Sequence, residues 1–187
     1  MDNPMRAWHQ EHACFNRLLA LLQHEVDLFH SDADPDYQLM LDIIAYLHEY
    51  AGRYHHPRED EAFRRLVKSC PDRALPIARL QQEHRVIDRA GEHLRMLLEQ
   101  AIDGTVTRRI EIEMAAATYL VYYGNHIAKE EEDILPRAQR VLSAADWQAV
   151  AEAAPAGPDP LFGPRPDERF HQLRRCIAAA APEASRR

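Results

Sequence analysis

The sequence predicts an all-α protein: an antiparallel up-down four-helix bundle with two additional C-terminal helices. Helix-favouring residues (Ala, Leu, Glu, Arg, Gln) abound while glycine is scarce, with 6 in 187 residues. Break signals divide the chain into long segments with short connections, the pattern of helices packed against their sequence neighbours. Apolar residues such as Leu18, Leu21, Leu22 and Leu39, Ile43, Leu47 fall at helical spacing, which reads as plain core.

Each element has its own signals. Asn3-Pro4 opens a first helix, with Pro at its first position, that runs to about His30. Asp34-Pro35 repeats the signal for a second, reaching about Lys68, within which Pro57 removes a backbone donor and should distort the helix locally. Cys70-Pro71 and Pro76 break the chain before a third, about Ile77 to Ala101, which Asp103-Gly104 ends. A fourth runs from about Thr107 to Leu142. Ser143 with Asp146 makes a capping pattern for a short fifth helix. A loop rich in Pro and Gly then spans 155–166, and a last helix, about Asp167 to Ala180, precedes a basic tail. The expected organisation is a bundle over residues 1–142 and a helical extension, 143–187, packed on it as a cover.

Composition excludes several classes of function. A formal net charge of -7 leaves no surplus cation for nonspecific nucleic-acid binding. No apolar run approaches the roughly 20 residues needed to span a bilayer, so no membrane partner is expected. The N-terminus, MDNPMRAWHQEHACF, lacks the basic start and apolar stretch of a signal peptide. Three cysteines far apart and without a CxxC argue against a disulfide framework and fit a reducing cytoplasm. Homodimerisation is compatible with the sequence, which leaves the oligomeric state open.

An internal repeat organises the 11 histidines. Gln10-Glu11-His12 with Arg17 matches Gln82-Glu83-His84 with Arg89, and His55-x-x-Arg58-Glu59 matches His126-x-x-Lys129-Glu130. His84 lies 72 positions after His12, and His126 and Glu130 lie 71 after His55 and Glu59. Two helical hairpins related by a pseudo-twofold therefore each contribute a His and then HxxxE. Positions i and i+4 share a helix face, so two such faces plus one His from each remaining helix bring four imidazoles and two carboxylates together. A single HxxxE is usually a surface pair; six residues obeying one symmetry are not so explained. Imidazole and carboxylate suit Fe and Mn, and the absence of thiolate argues against structural zinc. Two buried carboxylates close together would be costly without cations between them. The candidate metal ligands are thus His12, His55, Glu59, His84, His126 and Glu130.

The remaining histidines fall outside this symmetry. His9, His24, His30, His93 and His171 are expected to face solvent, and His48 is ambiguous. His56, rotated about a hundred degrees from His55, should stand behind the ligands at closest. The run Glu131-Glu132-Asp133 reads as a solvated face.

The spacing H…HxxxE…H…HxxxE resembles the hemerythrin HHE cation-binding family, and most closely its bacterial cytoplasmic hemerythrin-like members. Further motifs carry the likeness: His55-His56-Pro57-Arg58-Glu59-Asp60, Asp146-Trp147 and Asp159-Pro160-Leu161-Phe162-Gly163. The resemblance implies two non-haem iron ions bridged by Glu59 and Glu130 and by an oxo or hydroxo group, with manganese as the alternative metal. It pairs His12 with His55 on one ion and His84 with His126 on the other. Oxygen-carrying members have a further His one turn before the third-helix ligand, where this chain has Leu80, and a His-x4-Asp in place of His126-x3-Glu130. Tyr54, Tyr50 or Tyr123 could place a phenol in that vacancy.

Function follows from an open metal position. The expectation is a di-iron protein that binds or reacts with nitric oxide, peroxide or dioxygen, the alternative an iron sensor, storage, delivery or repair module without turnover. No catalytic acid or base can be assigned from the sequence.

Overall fold

A computed structural model describes residues 4–31 and 33–180, and among these the only regular structure is helical. The Asn3 cap and the basic tail lie outside the described residues. Helix α1 (Pro4–Asp27) closes in a 3₁₀ turn, Leu28–His30. α2 (Tyr37–Tyr46) passes through a π-helical stretch, Leu47–His55, into α3 (His56–Ser69). α4 (Ala74–Ile102) follows. α5 (Arg109–Lys129) passes through a second π stretch, Glu130–Ile134, into α6 (Leu135–Val141). α7 (Ala144–Ala153) packs on α3, and α8 (His171–Ala180) on α1 and α2. The long elements meet as α4 with α5, α2 with α4, α1 with α5, and α1 with α2.

Several boundaries differ from the expected ones. The second helix starts later, because Asp36 and not Asp34 caps it, accepting a hydrogen bond from the Leu39 N–H at 2.9 Å. The third starts earlier, at Ala74. Pro76 sits in its first turn, where a missing N–H costs nothing. Its end behaves as expected: Gly104 has φ 76°, and the Thr105 N–H closes back on the Gln100 carbonyl. Ser143 and Asp146 form the reciprocal cap of α7.

The expected distortion at Pro57 takes the form of a π stretch. Pro57 cannot donate to the carbonyl four residues back, and the nine preceding residues widen so that the His56 N–H bonds the Ala51 carbonyl, five residues back. The second π stretch likewise precedes a proline, Pro136, and the Leu135 N–H reaches the Glu130 carbonyl. Both HxxxE segments therefore overlap or abut a widened turn.

Two apolar clusters fill the interior. The larger contains Phe15, Leu22, Ile43, Ile87, Leu94, Tyr119 and Tyr123, and the smaller Trp8, Phe63, Leu66, Leu80, Ile134 and Leu135. On every long helix the candidate ligands fall between the two: His12 between Trp8 and Phe15, His55 and Glu59 between Ala51 and Phe63. His84 likewise lies between Leu80 and Ile87, and His126 and Glu130 between Tyr123 and Ile134. A polar layer thus crosses the interior between the two apolar clusters.

The 155–166 loop is anchored rather than loose. The Asp159 carboxylate accepts the Leu161 and Phe162 N–H groups at 2.8 Å and the Tyr46 hydroxyl at 3.2 Å, turning Leu161 fully into the larger cluster. Leu161→Ala should destabilise the protein by about 2–5 kcal/mol through the cavity left behind. Chemical denaturation checks this, with wild-type secondary structure retained in the absence of denaturant.

Candidate metal centre

The structure brings all six candidate ligands into the polar layer, each with no more than 6% of its surface exposed. α1 supplies His12, the π stretch ending at His55 and the first turn of α3 supply His55 and Glu59, and α4 supplies His84. His126 ends α5 and Glu130 opens the second π stretch. Every imidazole presents Nε2 to the carboxylates. His55 Nε2 lies 3.0 Å and His12 Nε2 3.3 Å from Glu59, while His126 Nε2 lies 3.1 Å and His84 Nε2 3.7 Å from Glu130. Glu59 also stands 3.6 Å from His84, and Glu130 3.6 Å from His12, so each carboxylate spans both halves. His12 Nε2 and His55 Nε2 face each other at 2.9 Å.

Neither oxygen of Glu59 or Glu130, nor Nε2 of His84 or His126, has a hydrogen-bond partner, although all are buried. Buried carboxylate oxygens left unpaired are strongly unfavourable, and cations between them would satisfy every one of these atoms. The residues present therefore fit a metal site in charge and donor type.

The metal-free chain compensates with protons. Burial opposes charge on His12, but the carboxylates of Glu131 and Glu59 outweigh it and hold the imidazole up at about 10. His84 is likewise opposed by burial and held up at about 11 by Asp60, Glu130 and Glu59. Glu59 is pushed up by burial yet held well below the ordinary carboxylate range by His55, His12 and His84. At neutral pH His12 and His84 thus stand as imidazolium groups among the carboxylates, and His55, opposed by burial, is shifted up in the same direction by Glu59 and Glu11.

A second layer repeats the pseudo-twofold. Each imidazole turns Nδ1 to a carboxylate outside the centre: His55 to Glu11 at 2.5 Å, His126 to Glu83 at 3.2 Å, His12 to Glu131 at 2.7 Å and His84 to Asp60 at 3.2 Å. Arg58 bonds both Glu11 oxygens, and Lys129 bonds Glu83 at the matching place. Such contacts fix the tautomer and ring orientation of a ligating histidine. Glu11→Gln, which keeps the shape but loses the charge facing His55 and Arg58, should weaken metal binding about ten- to a hundredfold. A competition titration against a chromophoric chelator reads that change.

Some expectations are corrected here. Glu131 is not simply a solvated residue: it is half-buried and bonds His9 and His12. Asp133 pairs with Arg73 at 2.8 Å, while Glu132 remains exposed. The repeat itself signalled these partners, since Glu11 and Glu83 stand directly before His12 and His84. His56 is buried beside the ligands and stacks on His84 with ring centroids 4.1 Å apart. Burial and the neighbouring His84 push its imidazole well below the ordinary range, so it is neutral. His48 is at the surface, 3.0 Å from Asp88. His9, His24, His30, His93 and His171 are exposed, as expected.

Of the three tyrosines, Tyr50 donates to Glu11, and the Tyr54 ring packs against Gly157, where a Cβ would come within 2.2 Å of it. Only Tyr123 keeps a buried hydroxyl without a partner. Burial, Tyr119 and the charges of Glu59 and Glu130 push that phenol well above its ordinary range, so it stays protonated. A cavity of about 20 Å³ adjoins His56, Tyr123, Gly52 and Gly91, room for one water-sized molecule.

Described residues that are all-helical, with a buried layer of imidazoles and carboxylates, define a cation-binding helical protein. The chain belongs to the hemerythrin family: the hemerythrin HHE cation-binding domain model matches residues 3–138. No curated protein matches the chain. No helix among the described residues is long and apolar enough to cross a membrane.

Proposed function

We propose that this chain is a non-haem di-iron protein that binds or reacts with a small oxidant: nitric oxide, peroxide or dioxygen. Its ligands are His12, His55, Glu59, His84, His126 and Glu130, held in an antiparallel four-helix bundle made by α1, α2–α3, α4 and α5–α6, with residues 143–187 as an extension. The observation carrying this reading is the set of buried, unpartnered carboxylate and imidazole atoms aimed at one another from four helical segments. Bound iron would supply a Lewis-acidic, one-electron redox centre with a position for an exogenous ligand.

The chain's own residues do the rest. Glu59 and Glu130 offset metal charge and join the two halves. Glu11, Glu83 and Glu131 keep Nδ1 of His55, His126 and His12 protonated, so that each Nε2 offers its lone pair, and Asp60 places a charge 3.2 Å from Nδ1 of His84. Tyr123 holds a proton at its hydroxyl beside this layer, available to a bound oxidant as a hydrogen bond. The space beside His56 and Tyr123 is too small for an organic substrate, in keeping with a small inorganic ligand.

Stopped-flow mixing of the reduced, iron-loaded protein with nitric oxide and with peroxide tests this. Rapid spectral change with repeated turnover is expected. Slow reaction, with reversible iron loss and a large stability gain on loading, would instead favour an iron sensor, storage or delivery module. Ligands drawn from separate helices favour that second reading too, because they couple binding to folding.

A further inference from the structure

We propose that His56 is a third imidazole ligand on the His84–His126 side, so that the centre has seven protein ligands and two unlike metal positions. This rests on the two-metal reading above and deepens it. One donor atom each from His56, Glu59, His84 and His126 lies within 4.8 Å of the others, and all four residues are buried. On the opposite side only His12, His55 and Glu59 converge in this way.

The carboxylates set His56 apart from the other four imidazoles. Each of those has a carboxylate facing Nδ1, hydrogen-bonded at His12, His55 and His126 and at ion-pair distance at His84. The His56 nitrogens have no hydrogen-bond partner among the described residues; its contacts are the rings of His84, His126, His55 and Tyr123. A cation satisfying the unpartnered Glu59 oxygens and the Nε2 atoms of His84 and His126 would have a His56 nitrogen within the same cluster of donors.

The pseudo-twofold supplies a control within the molecule. In the second half, the residue after His126 is Ile127, buried and apolar, so nothing equivalent to His56 reaches the His12–His55 side. Leu80, one turn before His84, lies in the smaller apolar cluster and offers no donor. His56 comes from a different helix, where the π stretch ends and adjacent histidines both turn inward. Counting donors leaves the His12–His55 position one imidazole short of the other.

Cobalt(II) titration of the metal-free protein, read by visible absorption, tests this with wild type, His56→Phe and His56→Ala. Phenylalanine keeps an aromatic face for His84 but cannot ligate. Two unlike cobalt spectra are expected in wild type. Both variants should lose affinity at one position by at least about tenfold, with the other position's spectrum unchanged and circular dichroism as in wild type. Wild-type affinity and spectrum in His56→Phe, with loss only in His56→Ala, would overturn the proposal and leave His56 a stacking support. Failure of wild type to take up two ions would overturn the two-metal reading together with it.

Discussion

Glu130→Ala is expected to cut metal content from two ions per chain to one or fewer, the largest effect of any single substitution at the centre. Glu130 is fully buried, lies near His126, His84 and His12, and has no hydrogen-bond partner for either oxygen. Removing it takes a negative charge and a shared donor from both halves at once. Its loss should destabilise the metal-free chain less than a cavity of that size would suggest. An uncompensated carboxylate disappears, although His12 and His84 lose one of the charges holding their protons. His84→Ala should also lower metal content, whereas His24→Ala, on the exposed side of α1, should leave it unchanged. Metal analysis of the three purified variants checks the set; equal content in all would sink the ligand assignment.

Metal loading should release at least about two protons per chain near neutral pH and raise stability by about 4 kcal/mol at a thousandfold excess over the dissociation constant. The protons come from His12 and His84, held in the metal-free chain at about 10 and about 11 by the facing carboxylates. Both values lie above the ordinary imidazole value of 6.5. The stabilisation these groups give the metal-free chain is therefore complete below about pH 6.5 and is lost as pH rises through 10 to 11. Metal affinity moves oppositely, rising with pH because fewer protons must leave. Calorimetry in buffers of different ionisation enthalpy counts the protons, and thermal unfolding across pH follows the stability. Loading without proton release would mean the imidazoles are already neutral and the charge balance described above is wrong.

The centre was legible in the sequence because metal ligation demands particular residue types at helical spacing, and the pseudo-twofold printed that demand twice. The repeat alone grouped His12, His55, Glu59, His84, His126 and Glu130, which the structure brings into one buried layer. The same repeat carried Glu11 with Glu83 and Arg58 with Lys129, but an acid beside a ligand looks like any surface charge until the packing of α1 against its neighbours turns it toward a ring nitrogen.

His56 was hidden for a geometric reason. An ideal helix separates adjacent residues by about a hundred degrees. The sequence does not say that the interior subtends enough of the helix circumference to receive both His55 and His56. Nor does a proline announce a π stretch: Pro57 predicts a disturbed hydrogen bond, and tertiary packing decides whether the helix kinks or widens. The Asp36 cap shows the same limit, since Asp34 and Asp36 are equally good caps until Pro35 and the fold choose between them.

The most direct test is metal content per chain, with the ultraviolet-visible spectrum, of aerobically purified protein carrying no histidine tag. Two irons per chain with oxo-bridged ferric bands in the near ultraviolet are expected. Fewer than one metal per chain, even after anaerobic loading with iron, would contradict a functional centre and leave the six-residue layer without its cations.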